Sequence, residues 1–169
     1  MSIFGRKREV KKLDEFYHSN KSEFMAIYGR RRVGKTYLAT ALGNFACRSG
    51  FTCMFIGVNM LIEKINLCRV DGTFLNLRDR LIKTDLLVLD DIGIKRLPPE
   101  IVQDIYDILE ERYQTKSTMI TSQLPVKNWK EVIEDPVAFE AIVDRLIHGA
   151  INIDLHGESY RKKRAKFAS

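Results

Sequence analysis

The chain has 169 residues, 45% hydrophobic and 30% charged, with 10 Gly and 4 Pro, which fits one globular domain and excludes disorder, collagen-like repeats and low complexity as descriptions of the whole. No apolar run approaches the roughly 20 residues of a membrane-spanning helix, and the N-terminus turns charged before any signal-peptide stretch, so a cytoplasmic protein without a membrane partner is expected. Net charge is +6, concentrated at two basic ends around a mildly acidic centre, a pattern that suits nucleotide phosphate or a nucleic-acid backbone, although charged ends are often merely solvated.

Residues 5–18 place Val10, Leu13, Phe16 and Tyr17 at helical spacing. A short apolar run over 24–28 reads as a strand that breaks at Gly29. Residues 35–48 are helical again, with Leu38, Ala41, Leu42, Phe45 and Ala46 inward and Gly50 as the stop. Residues 51–56 read as a buried strand, and 59–68 as a helix with Leu61, Ile62 and Ile65 on one face. The charged stretch 70–84 carries no clear assignment. Leu-Leu-Val-Leu at 86–89 is the clearest buried strand. Pro98 and Pro99 open a helix striped by Ile101, Val102, Ile105, Leu109 and Tyr113, since proline suits a first turn where its missing N–H has no partner. Residues 118–121 read as a strand, 129–133 and 137–147 as helices, and 151–155 as a last strand. Strands alternating with helices predict an α/β fold, a parallel sheet covered on both faces. Residues 1–156 would form the core and 157–169 a basic tail. Cys47, Cys53 and Cys68, an odd set without a CxxC pair, read as small hydrophobes; neither a disulfide framework nor a zinc site is expected.

Gly29-Arg30-Arg31-Arg32-Val33-Gly34-Lys35-Thr36 fits the P-loop pattern GxxxxGK[ST], set between a strand and a helix as that pattern requires. Its backbone N–H groups and the helix N-terminus suit phosphate. Lys35 would reach the β- and γ-phosphates of ATP, and the Thr36 hydroxyl would ligate Mg²⁺. Tyr37, next in the chain, joins the cofactor contacts. Asp90 and Asp91 follow the strand 86–89 in Walker B fashion, an apolar strand ending in carboxylates at the sheet edge. Asp90 would hold Mg²⁺, and Asp91 would orient or activate the attacking water; an ordinary acidic turn is the alternative. A strand lies between the two motifs, which suits the additional-strand branch of P-loop ATPases.

The stretches 36–43 (TYLATALG), 86–93 (LLVLDDIG), 121–126 (TSQLPV), 144–146 (DRL) and 157–161 (GESYR) together resemble the IstB-type transposition helper ATPases, relatives of the DnaC helicase loaders in the AAA+ class. The resemblance implies a five-stranded sheet of order 5-1-4-3-2. It also puts Gln123 at the sensor-one position, near the γ-phosphate or attacking water. Arg145 stands where related ATPases supply an arginine finger to a neighbouring subunit, which implies a homo-oligomer when active. Arg161 matches the sensor-two arginine. From the residues alone these three read as a strand cap, a surface ion pair and a solvated tail. Residues 1–36 instead resemble archaeal-type ATPases with a GRRRVGKT loop, in which a GR motif lies near the adenine. That implies base or ribose contacts for Gly5 and Arg6, and a join of two P-loop families near 33–36. No lid after the last strand and no counterpart of the family's N-terminal helical domain are expected.

The implied function is an ATP·Mg²⁺-binding, slowly hydrolysing helper or loader that acts on DNA in transposition, with transposase or helicase as protein partner. The rivals are a nucleotide-gated DNA-binding adaptor with negligible turnover and a chimeric nucleotide-binding fragment. DNA would be held by its phosphates, through Arg30, Arg31, Arg32 and the tail from Arg161 to Lys166, without reading of base sequence.

Overall fold

The computed structural model describes residues 21–93, 96–133, 135–148 and 150–156. Among them five strands form one sheet: β1 (Phe24–Tyr28), β2 (Cys53–Gly57), β3 (Leu86–Ile92), β4 (Ser117–Ser122) and β5 (Ala150–Asp154). Their order is β2-β3-β4-β1-β5 and every pairing is parallel. This is the expected 5-1-4-3-2 order seen from the other edge. The connecting helices are α1 (Lys35–Arg48), α2 (Val58–Val70), α3 (Phe74–Lys83), α4 (Pro99–Arg112) and α5 (Pro136–His148), with a 3-10 helix at Val126–Glu131.

Parallel strands joined by crossover helices are buried on both faces, and successive side chains point to opposite sides. Two cores follow. Phe24, Ala26, Leu87, Leu89 and Ile120 pack against Leu61, Ile65, Leu81, Ile101, Ile105 and Ile142, contributed by α2 to α5. Met25, Ile27, Leu86, Val88, Met119 and Ile153 form the second core with Leu38 and Ala39 of α1.

The departures from expectation have local causes. The unassigned stretch 70–84 holds α3, whose apolar stripe of Phe74, Leu77 and Leu81 is narrow between Arg78, Asp79, Arg80 and Lys83. Residues 129–133 are not an α-helix: Trp129 lies in the 3-10 turn, and Val132 and Ile133 follow it, all three buried. Phe51 precedes β2 and is exposed, as are Phe45 and Cys47 at the end of α1. Tyr113 falls one residue beyond α4.

Arg112, the last residue of α4, is fully buried at the edge where the strands begin. Its guanidinium donates to the carbonyls of Leu81 at 2.6 Å, Ile82 at 3.0 Å and Thr84 at 2.7 Å, to the Ser117 carbonyl, and to Thr118 Oγ1 at 2.8 Å. The first three acceptors end α3, where the helix dipole is negative, so the charge is offset by oriented carbonyls. Burial lowers its pKa to about 10, against a smaller opposing pull from Asp85. The group is still a cation at neutral pH. Beside it, Asp85 pairs with Lys116 at 2.6 Å and accepts from both the amide and hydroxyl of Thr52, tying the starts of β2, β3 and β4 together. Arg112→Met would strand several buried acceptors. It should lower stability by about 3–5 kcal/mol in denaturant melts, while the far edge of the sheet keeps its ligand affinity in the folded fraction.

Candidate nucleotide site

The loop 29–34 runs from the end of β1 to the start of α1. Gly29 has φ 148°, and a Cβ there would sit 2.4 Å from the Leu155 carbonyl oxygen. Leu155 in turn donates its amide to the Tyr28 carbonyl at 2.8 Å, which holds the chain after β5 directly over the loop. Gly34 has φ 95° and forms the N-cap of α1, and no side chain caps that helix. The first-turn amides therefore face the loop, an arrangement suited to phosphate. Val33 is buried in the α1 core and can offer a ligand only its backbone. Arg30, Arg31, Arg32, Thr36 and Tyr37 are exposed.

Lys35 is buried, and its Nζ donates to the carbonyls of Gly29 at 2.9 Å and Arg30 at 3.1 Å. The ammonium is thus held inside the loop it would share with a phosphate. Burial pushes its pKa below the usual lysine value; the nearby Asp91 and Asp90 oppose this, and Arg31 adds to it. The Thr36 hydroxyl lies 3.2 Å from both carboxylate oxygens of Asp90. Asp90 is buried, and its pKa is raised chiefly by burial and next by Asp91, against hydrogen bonds from Thr121 and Thr36 and the charge of Lys35.

The acidic pair sits on an irregularity. Strand pairing between β3 and β4 shifts register between Leu89 and Ile92, and Asp91 adopts φ 62°. Such a bulge re-aims side chains that a regular strand would alternate in and out. Two hydroxyls of β4 take over where the backbone ladder lapses. Thr121 Oγ1 donates to Asp90 Oδ1 at 2.5 Å and accepts from the Asp91 amide at 2.9 Å. Ser122 Oγ donates to the Ile92 carbonyl at 2.8 Å and accepts from the Trp129 indole at 3.2 Å.

The structure therefore brings Lys35, Thr36, Asp90 and Asp91 together at the strands' C-terminal edge. Gln123 joins them differently: its Oε1 accepts from Arg31 Nε at 2.9 Å, a contact between the segment just after β4 and the loop. Thr121 stands in the stretch 121–126, where the sequence assigns it no role of its own. Its only signal was a pair of hydroxyl residues closing an apolar strand. Arg145 falls in α5 with its side chain outside the described atoms, and Gly5, Arg6 and Arg161 lie outside the described residues.

Gly29→Ala should cost about 2 kcal/mol or more in stability, because it combines an unfavourable φ with a clash against backbone that cannot rotate away. Thermal and denaturant melts check this. A stability equal to the parent's would mean that the chain after β5 does not rest on the loop.

Comparison with known proteins agrees with this geometry. The IstB-like ATP binding protein family matches residues 5–168, running unbroken through the 33–36 segment where the sequence alone suggests a join. An insertion sequence ATP-binding protein of Sinorhizobium fredii is 44% identical over 142 residues, covering 84% of this chain and 58% of its own length. The ATP-binding protein of insertion sequence IS232 from Bacillus thuringiensis is 30% identical, covering 96% of this chain and 72% of its own. The fold matches the DnaC helicase loader with TM-score 0.77 at 21% identity, over 92% of both chains. It also matches the replication initiator DnaA, with TM-score 0.80 at 18% identity, over 99% of this chain and 53% of that one. With a P-loop, an acidic pair and this sheet order in one family's span, the chain belongs to the IstB-like ATP-binding proteins of insertion sequences.

Proposed function

We propose that the chain binds ATP with Mg²⁺ in the loop 29–36, hydrolyses it slowly, and serves as a helper or loader on DNA in transposition. The observation that carries this reading is the convergence of a buried Lys35 with Thr36, Asp90 and Asp91 at one glycine-flanked loop. Thr36 and Asp90 are the residues that would hold Mg²⁺, since hard cations take oxygen donors and these already face one another at 3.2 Å. When bound, the ion neutralises charge on the β- and γ-phosphate oxygens.

The remaining work falls to the chain itself. Lys35 exchanges loop carbonyls for phosphate oxygens. Asp91 holds the attacking water and accepts its proton. Gln123 keeps the Arg31 cation beside the loop, where it can meet the polyphosphate. Arg145 of a neighbouring copy and Arg161 of the same copy complete the charge, and Gly5 and Arg6 contact the base or ribose. The role on DNA and a transposase or helicase partner rest on the family and on likeness to the DnaA structure, which holds AMPPCP and single-stranded DNA.

Nucleotide titration and phosphate release test the chemistry together. Lys35→Ala should weaken ATP binding by several-fold or more in a folded protein. Asp91→Asn should bind ATP and lose turnover, because asparagine tolerates positive φ as aspartate does. Asp90→Asn should in addition lose the Mg²⁺-dependent part of binding. Equal ATP affinity in Lys35→Ala would overturn the loop assignment.

DNA contact should be sequence-tolerant and steeply salt-dependent. The log–log slope is about −0.9 per duplex phosphate neutralised, so replacing Lys162, Lys163, Arg164 and Lys166 with Ala should flatten it by up to about four such contacts. Unchanged affinity and slope would mark the tail as a solvated end.

A further inference from the structure

The P-loop and the acidic pair have assigned roles, whereas the hydroxyl between the two carboxylates does not. Thr121 is fully buried at the C-terminal end of β4. Its single oxygen makes two contacts with opposite sense: it donates to Asp90 Oδ1 and accepts from the backbone amide of Asp91. Asp91 is one of the few non-glycine residues in the described chain with positive φ, a conformation that persists only where surrounding structure over-determines it. Register with β4 shifts at this point, and Thr121 Oγ1 accepts from the Asp91 amide there.

We infer that Thr121 is the positioning residue of the acidic pair: by accepting from the Asp91 amide it fixes the left-handed turn that aims the Asp91 carboxylate toward Lys35, and by donating to Asp90 it sets that carboxylate against Thr36. This rests on the ATP·Mg²⁺ reading of the same site. Thr121 touches neither nucleotide nor water in this account and acts through its two neighbours. No other group shown here combines both contacts. Ser122, one residue on, bonds the Ile92 carbonyl on the far side of the bulge.

The test compares Thr121→Val, which keeps the shape and removes donor and acceptor, with Thr121→Ser, which keeps the hydroxyl. The first measurement needs no ligand: the Asp91 amide should exchange with solvent at least about tenfold faster in Thr121→Val than in the parent, measured against the Val88 amide of the same strand. In Thr121→Ser it should stay near the parent rate. The second is nucleotide titration with and without Mg²⁺. Thr121→Val should bind ATP without Mg²⁺ as the parent does, require several-fold more Mg²⁺ for the metal-dependent gain, and turn over about ten- to a hundredfold more slowly, as a misaimed group does. Thr121→Ser should restore each to within a few-fold. A purely structural threonine would lower the melting temperature and leave the Mg²⁺ requirement and the KM-to-kcat split alone.

An equally protected Asp91 amide in parent and Thr121→Val overturns the proposal, and so does a parental Mg²⁺ requirement in a variant whose amide has opened. Should Thr121→Val fail to fold, Thr121→Cys, with its weaker donor and acceptor, is read on the same measurements. Failure of the parent to bind ATP at all would sink the ATPase reading, and the amide measurement would still decide whether Thr121 holds Asp91.

Discussion

The position of β4 between β1 and β3 is the constraint on which the site depends. Neighbouring strands lie about 4.8 Å apart, so the strand that feeds the P-loop and the strand that carries the acidic pair stand about two spacings from each other. A carboxylate at the end of β3 does not reach the loop after β1 by extending its own strand. The gap is closed from both sides. Thr36, in the first turn of α1, leans back to Asp90, while Thr121 at the end of β4 fills the place between them. The bulge at Asp90–Asp91 supplies the remaining rotation, and its conformational cost is met by hydrogen bonds from the same intervening strand.

The two edges of the sheet use cations in opposite ways. At the edge where strands begin, Arg112 is sealed from water and its donors are met by carbonyls and a hydroxyl, so its charge locks α3, α4 and β4 together. At the edge where strands end, Lys35 is also buried, though less completely, and its acceptors are two carbonyls of a loop. Those carbonyls belong to the segment a phosphate would occupy, and they are weaker partners than a phosphate oxygen. The fold thus keeps one buried cation fully committed and the other exchangeable.

Much of this was legible in the sequence because the chemistry itself fixes the spacing. GxxxxGKT between a strand and a helix admits few readings, and an apolar strand ending in two aspartates beside it narrows them further. The apolar runs of β1 and β3 are equally plain. What stayed hidden depends on contacts distant in sequence. A threonine near the end of β4 carries no signal of its own until Asp90 and Asp91, 31 and 30 residues away, are seen to bond it. Val33 fills a variable place in the loop motif, but it faces the core because α1 covers that side of the sheet. The need for glycine at 29 comes from the Leu155 carbonyl as well as from phosphate, and no local pattern announces that. Helix α3 is hard to read because Arg78, Asp79, Arg80 and Lys83 interrupt the positions Phe74, Leu77, Leu81 and Ile82 that face the core.

The triple-arginine loop follows from the same physics. Unit charges about 8 Å apart in water repel by about 0.5 kcal/mol, so Arg30, Arg31 and Arg32, exposed beside a buried lysine, raise the free energy of the loop when no anion is near. Burial lowers the pKa of Lys35, and Asp91 and Asp90 oppose that lowering more than Arg31 adds to it. The contact from Arg31 to Gln123 draws one of these charges toward the end of β4, and the loop curls through three positive-φ positions, Gly29, Gly34 and the non-glycine Arg32. A polyphosphate placed among these cations removes the repulsion as it forms its own contacts. On the proposed reading, a multiply charged anion would gain from the charge of the loop as well as from its hydrogen bonds.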